Sequence, residues 1–162
     1  MRGLPSLGPR GVGWVLIQGI LLVIVVAAGT VGPAWTDGLR VLTAVVGGAA
    51  IAAGLVLAGR GVGELGSAFT PLPHPRPNVE LVVTGVYSLV RHPIYGGLIV
   101  AALGWGLLAA SPAALFWSLV LWGFFELKSR REEVWLEARF DGYAAYRART
   151  RRLIPWLGRI HG

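Results

Sequence analysis

A chain of 162 residues, 54% hydrophobic and only 14% charged, has too little polar side chain to coat a soluble globule, so the sequence points to lipid as the main solvent. Its net charge of +7 sits outside the apolar runs and crowds the C-terminal end. That pattern fits anionic headgroups and argues against nucleic acid as a partner. With no cysteine, disulfides, thiolate metal sites and cysteine nucleophiles are excluded, and His74, His92 and His161 show no metal-ligand spacing.

Taken in chain order, the first apolar run covers residues 12–31, about one bilayer thickness of helix, interrupted only by Gln18 and scattered glycines. It is longer than the apolar core of a secretory leader and shows no clear small-x-small cleavage site. A second span is expected over 41–59, where Ala50, Gly54 and Ala58 recur at fours, the spacing that lets helix backbones approach closely in lipid. The connector 60–92 contains Pro71, Pro73, Pro75 and Pro77, so its first half is expected to be extended and non-helical. A connector of this length in so small a protein is a place to look for a site.

From Pro93 to Phe125 there are 33 residues without a charge. As one helix they would reach about 50 Å, well past a hydrocarbon core of about 30 Å. The run should therefore fold back at Ser111-Pro112, giving spans over 93–110 and 112–127. Beyond it the chain keeps helical periodicity, with Leu136, Phe140 and Tyr143 on one stripe, so an amphipathic surface helix is expected over 128–149. The whole reads as one all-α domain over 1–162, a multi-pass bundle of about four transmembrane helices. Lys and Arg number two before the first span, three between the second and third, nine after the fourth, and one, Arg40, on the opposite side. The positive-inside rule then puts both termini and the connector in the cytoplasm.

Ionisable residues at a membrane boundary are costly unless used or paired, and two clusters stand there. The first, around Tyr87, Arg91, His92, Pro93 and Tyr95, sets a fixed cation, an imidazole and two phenols at the start of a span. The free amides of that helix start, with Arg91 and His92 beside them, can receive an anion, although an interfacial anchor accounts for the same composition. The second cluster is Lys128, Arg130, Arg131, Glu132 and Glu133. Adjacent carboxylates on a helix diverge by about 100°, so one can face a pocket while the other faces water or a basic group. Solvated charge remains the plain alternative, with Arg130 placed to pair with Glu133 or with Glu126.

Gly85-x-Tyr87, Arg91-His92-Pro93-x-Tyr95-Gly96, Glu132-Glu133-x-x-Leu136, Phe140, Tyr143-x-x-Tyr146 and Leu153-Ile154-Pro155 together resemble the isoprenylcysteine carboxyl methyltransferase and phospholipid methyltransferase superfamily. The resemblance covers roughly 81–155. It implies an all-helical membrane enzyme that uses S-adenosylmethionine to methylate a lipophilic small molecule or lipid, with a carboxylate or an amine as acceptor. Carried over by position, it implies cofactor contacts from Leu81, Val82, Tyr87, His92, Pro93, Tyr95, Glu132 and Glu133, catalytic roles for His92 and Arg91, and substrate contact by Lys128. The membrane steroid reductases also carry an Arg-His-Pro-x-Tyr element, which keeps an NADPH-dependent reductase as an alternative. There an Asn typically follows the proline and a Glu comes shortly after the tyrosine, where this chain has Ile94 and Leu98. A non-catalytic membrane scaffold is the alternative of another class.

Overall fold

The computed structural model describes residues 7–31, 35, 37–74 and 79–154. The described residues are all-helical: α1 (Val12–Thr30), α2 (Asp37–Leu65), α3 (Pro93–Leu108), α4 (Pro112–Arg139) and α5 (Tyr143–Arg149), with 3-10 turns at Pro9–Gly11, Gly66–Ala68 and Gly85–Ser88. The expected fold-back is in place. Ala109 and Ala110 turn the chain, and Ser111 caps α4 by accepting from the Ala114 amide at 3.2 Å, which meets one donor left open at a helix start.

Two expectations are corrected. The first half of the connector is not extended from its beginning, because α2 stays helical to Leu65 and a 3-10 turn follows. With no proline before Pro71 the helix runs on despite Gly61 and Gly63, and it ends at Gly66, whose φ of +49° lies in the left-handed region. Pro75, Arg76, Pro77 and Asn78 lie outside the described residues. Nor does 128–149 form a separate surface helix. The fourth apolar run continues without a break through Lys128, Glu132 and Glu133 to Arg139, and only the seven-residue α5 lies beyond the turn at 140–142. No proline or glycine interrupts 124–139, so nothing stops the helix where the polarity changes.

Membrane association is written in the surface of α1 and α2. Both are long and apolar enough to cross a bilayer, and little of either is buried within the protein. Leu16, Ile20, Val23, Val41, Val45 and Val56 are all more than half exposed, the reverse of a soluble core helix. α3 is apolar but has only 16 residues.

The α2–α3 pair packs backbone to backbone. A Cβ on Gly47 would come within 2.6 Å of the Gly104 carbonyl oxygen, and one on Gly104 within 2.7 Å of that of Gly47. Gly54 and Gly97 repeat the reciprocal contact one stage along, with Ala58 against Gly97. The small-residue stripe of the sequence is therefore a helix-packing seam. On the other side α1 meets the hairpin through Trp105 Nε1, which donates to the Val26 carbonyl at 3.3 Å, and Ser111 Oγ, which donates to that of Ala28 at 2.8 Å. Leu21, Val25, Ile99, Leu121 and Phe125 fill the space between them.

The seam gives a direct prediction. Gly97→Ala puts a methyl into the Gly54 carbonyl and should cost about 1–3 kcal/mol through overpacking. Gly48→Ala, on α2 but facing open space, should be neutral or gain about 0.5–1 kcal/mol through the lower entropy of the unfolded chain. Thermal unfolding in detergent compares the two; equal effects would mean that α2 and α3 do not pack along this seam.

Candidate functional site

The connector returns to the bundle as an irregular stretch over 79–84, then makes the 3-10 turn Gly85–Ser88. Gly85 adopts φ +57°, and its missing Cβ leaves room for the Glu64 carboxylate at the end of α2. That carboxylate accepts from the Val86 amide at 2.8 Å, and the Tyr87 hydroxyl donates to the Gly61 carbonyl at 3.1 Å, so α2 fixes the turn at two points. The next residues are held by the C-terminal segment. Val90 bridges in parallel to Arg151, and the amides of Arg91 and His92 donate to the carbonyls of Arg151 and Arg152 at 2.8 and 2.9 Å. Gly96 permits this approach, since a Cβ there would strike the Leu153 carbonyl.

Helical spacing separates the two glutamates as the sequence allowed. Glu133 turns inward and is 4% exposed. It accepts from Arg91 Nε at 2.8 Å, lies 3.3 Å from His92 Nε2, and pairs with Arg152 at 3.2 Å. Burial by itself raises its carboxyl. The hydrogen bond and charge of His92 and the charges of Arg91 and Arg152 outweigh that and hold it well below the usual carboxylate range. Arg91 is equally committed: its guanidinium also donates to the carbonyl of Arg147 at 3.0 Å and to that of Thr150. Arg152 reaches on to Glu126 at 2.5 Å. Arg130 pairs with Glu126 at 2.9 Å, so of its two possible partners it takes the one a turn before it.

Glu132 faces a cavity. Its side chain accepts from the Tyr95 hydroxyl at 2.7 Å and lies 3.8 Å from His92 Nδ1. The rings of His92, Tyr95 and Phe125 stack in sequence, 5.4 and 4.8 Å between centroids and within 4° and 16° of parallel. The cavity wall includes Leu81, Val82, Tyr87, Arg91, His92, Pro93, Tyr95, Lys128 and Glu132, every candidate from the sequence except Glu133. Leu136, Phe140 and Tyr143, the stripe expected beyond the fourth run, also line it, together with Tyr146.

Lys128 is fully buried at the edge of this space. Its ammonium donates to Gln18 Oε1 at 2.5 Å and to the Pro71 carbonyl at 3.4 Å, and it lies 4.8 Å from the centre of the Tyr95 ring. No carboxylate lies within ion-pair distance of it among the described residues. Burial pulls an amine down, and a cation in such a place keeps its charge only with help from nearby acceptors.

Three participants were not legible as such. In the sequence Gln18 is only the lone amide in an apolar run, Glu64 an isolated acid after the second expected span, and Arg152 one of several tail cations. A polar side chain in a lipid-facing run is the one signal that singles out Gln18 in advance.

The protein-family model for phospholipid methyltransferase matches residues 42–142, more than half of the chain. Among curated relatives, a protein-S-isoprenylcysteine O-methyltransferase of Schizosaccharomyces pombe is 36% identical over 98 residues, which are 58% of this chain and 42% of that protein. One of Saccharomyces cerevisiae is 40% identical over 79 residues, 48% of this chain and 33% of that protein. Protein-S-isoprenylcysteine O-methyltransferase A of Arabidopsis thaliana is 29% identical over 129 residues, 76% of this chain and 61% of that protein. The chain thus spans less than half the length of the two yeast relatives. The family match runs from α2 through the cavity wall to the turn before α5, and this chain belongs to the phospholipid methyltransferase family.

Proposed function

We propose that this protein spans the membrane four times, with both termini cytoplasmic, and transfers a methyl group from S-adenosylmethionine to the carboxylate of a lipophilic acceptor at the cytosolic interface. The donor set in the cavity fits the cofactor. Glu132 offers a carboxylate to an ammonium, the tyrosine rings on the cavity wall attract a cation, and the irregular backbone around Leu81 and Val82 offers amide and carbonyl edges to a planar base. Tyr87 and Pro93 complete that wall. When bound, S-adenosylmethionine supplies a methyl group made electrophilic by its sulfonium. Everything else falls to the chain: it orients, it excludes water, and it neutralises charge.

The observation that carries the choice of acceptor is Lys128. A buried ammonium whose hydrogen-bond partners are both neutral, and on which Glu132 acts only from beyond ion-pair distance, still favours a negative charge beside it and repels a second positive one. An amine acceptor would bring the wrong sign. A carboxylate needs no proton removed before it attacks, so His92 is assigned to shaping and orienting the pocket through its stack on Tyr95. Arg91, with its donors spent on Glu133 and two carbonyls, is assigned to positioning His92. The names of the curated relatives, which specify O-methylation, agree with this sign.

The test uses purified protein in detergent with S-adenosylhomocysteine, NADPH and labelled S-adenosylmethionine. S-adenosylhomocysteine should bind, and the label should enter a lipophilic carboxylic acid as a methyl ester that mild alkali cleaves. Lys128→Met should keep cofactor binding and weaken the acceptor by roughly tenfold to over a hundredfold, the range of a charge-assisted hydrogen bond of about 1.5–3 kcal/mol. Alkali-stable label on an amine would overturn the acceptor assignment. NADPH binding alone would restore the reductase, and binding of neither cofactor the scaffold.

A further inference from the structure

All four tyrosines of the chain line the cavity, and three of their hydroxyls are already engaged. Tyr87 donates to the Gly61 carbonyl at 3.1 Å, Tyr95 to Glu132 at 2.7 Å, and Tyr146 to the Tyr87 carbonyl at 2.6 Å. Tyr143 differs. Its side chain is fully buried, yet its hydroxyl makes no hydrogen bond to any described residue. Two other buried polar atoms share that condition, Trp14 Nε1 and Arg131 Nε, but neither residue belongs to the cavity wall.

Retaining an unmet hydroxyl away from water costs stability that a phenylalanine ring in the same place would not. Packing does not ask for the oxygen, because Tyr143 already has its ring against Tyr146 at 5.8 Å between centroids. Burial raises its pKa, with the negative charge of Glu133 adding to the effect and Arg91 opposing it, so the group stays a protonated donor across the physiological range.

We infer that Tyr143 is a further ligand-binding residue, whose hydroxyl donates a hydrogen bond to an acceptor atom of the S-adenosyl ligand held in the cavity. The inference rests on the cofactor reading given above. It also gives α5 a purpose: this helix, held by the Arg91 contacts to Arg147 and Thr150, carries a donor to the cavity wall.

The experiment titrates S-adenosylhomocysteine into the wild type, Tyr143→Phe and Tyr146→Phe in detergent, and records thermal unfolding of each without ligand. Tyr143→Phe should bind about two- to tenfold more weakly, the range of one neutral hydrogen bond, with its ligand-free midpoint unchanged or raised. Tyr146→Phe, which loses a bond made within the protein, should instead lower the ligand-free midpoint. Two results would overturn the inference: Tyr143→Phe binding as tightly as the wild type, or a ligand-free midpoint that falls as it does for Tyr146→Phe. A wild type that fails to bind removes the cofactor reading itself, whereas wild-type binding with an unaffected Tyr143→Phe removes only this residue from it.

Discussion

Glu133→Gln should cost on the order of 3–5 kcal/mol of stability, whereas its neighbour Glu132→Gln should leave the fold intact and weaken S-adenosylhomocysteine binding by roughly tenfold to over a hundredfold. The sequence alone gives no reason to separate them in stability, since both stand at the same polar end of one helix. Geometry separates them. Glu133 balances Arg91 and Arg152 and meets His92 in a buried cluster, and an amide in its place leaves cations facing one another without a counter-charge. Glu132 keeps 21% of its side chain exposed at the cavity, and glutamine can still accept from Tyr95, so what it loses is charge offered to a ligand. Acid should show the same division. A carboxyl held below its unfolded value of 4.5 lends stability that is complete above that pH and drains away as pH falls toward the lower folded value. Acid unfolding of the wild type should therefore carry a component that Glu133→Gln lacks. Unfolding midpoints across pH, with ligand titration of both variants, decide the matter. Similar stability for the two would show that the Glu133 cluster does not hold the fold.

Arg91→Lys should be nearly as damaging as Arg91→Ala, with a loss of about 3 kcal/mol or more, despite keeping the charge. The guanidinium reaches three acceptors at once: Glu133, the Arg147 carbonyl and the Thr150 carbonyl. These lie on two different parts of the chain, α4 and the end of α5. A lysine ammonium is a point donor on a flexible stem and cannot span them in the same plane. Loss of the contact should free the segment after α5 and, with it, the carbonyls of Arg151 and Arg152 that hold the amides of Arg91 and His92. Hydrogen exchange at the amides of 90–92 and at 147–152 should accelerate together in either variant. Rescue of both stability and exchange protection by lysine would mean that only the charge matters, and that the residue is an interfacial anchor.

The sequence by itself determined the bulk solvent, the helical class and the turn at Ser111-Pro112. Each of these follows from local composition: charge-free runs cannot coat a soluble surface, and a proline fixes where the long run folds back. It also determined which residue types gather at the ends of the apolar runs, because a cation, an imidazole and carboxylates next to such runs are too costly to sit there idle. Only the tertiary structure decided their division of labour. Which of two adjacent carboxylates faces the cavity depends on the rotation of α4 about its axis, and that rotation is set by packing of Leu121 and Phe125 against α1 and α3. The same holds for Lys128, whose partner Gln18 lies 110 residues away on α1. Arg152 is a further case: among tail cations that look alike in sequence, pairing of its neighbour with Val90 carries it to Glu133 and Glu126. Continuity of α4 past Phe125 was also a tertiary matter. A change in polarity marks where lipid ends, but without a proline, a glycine or a cap it gives the backbone no reason to leave the helix.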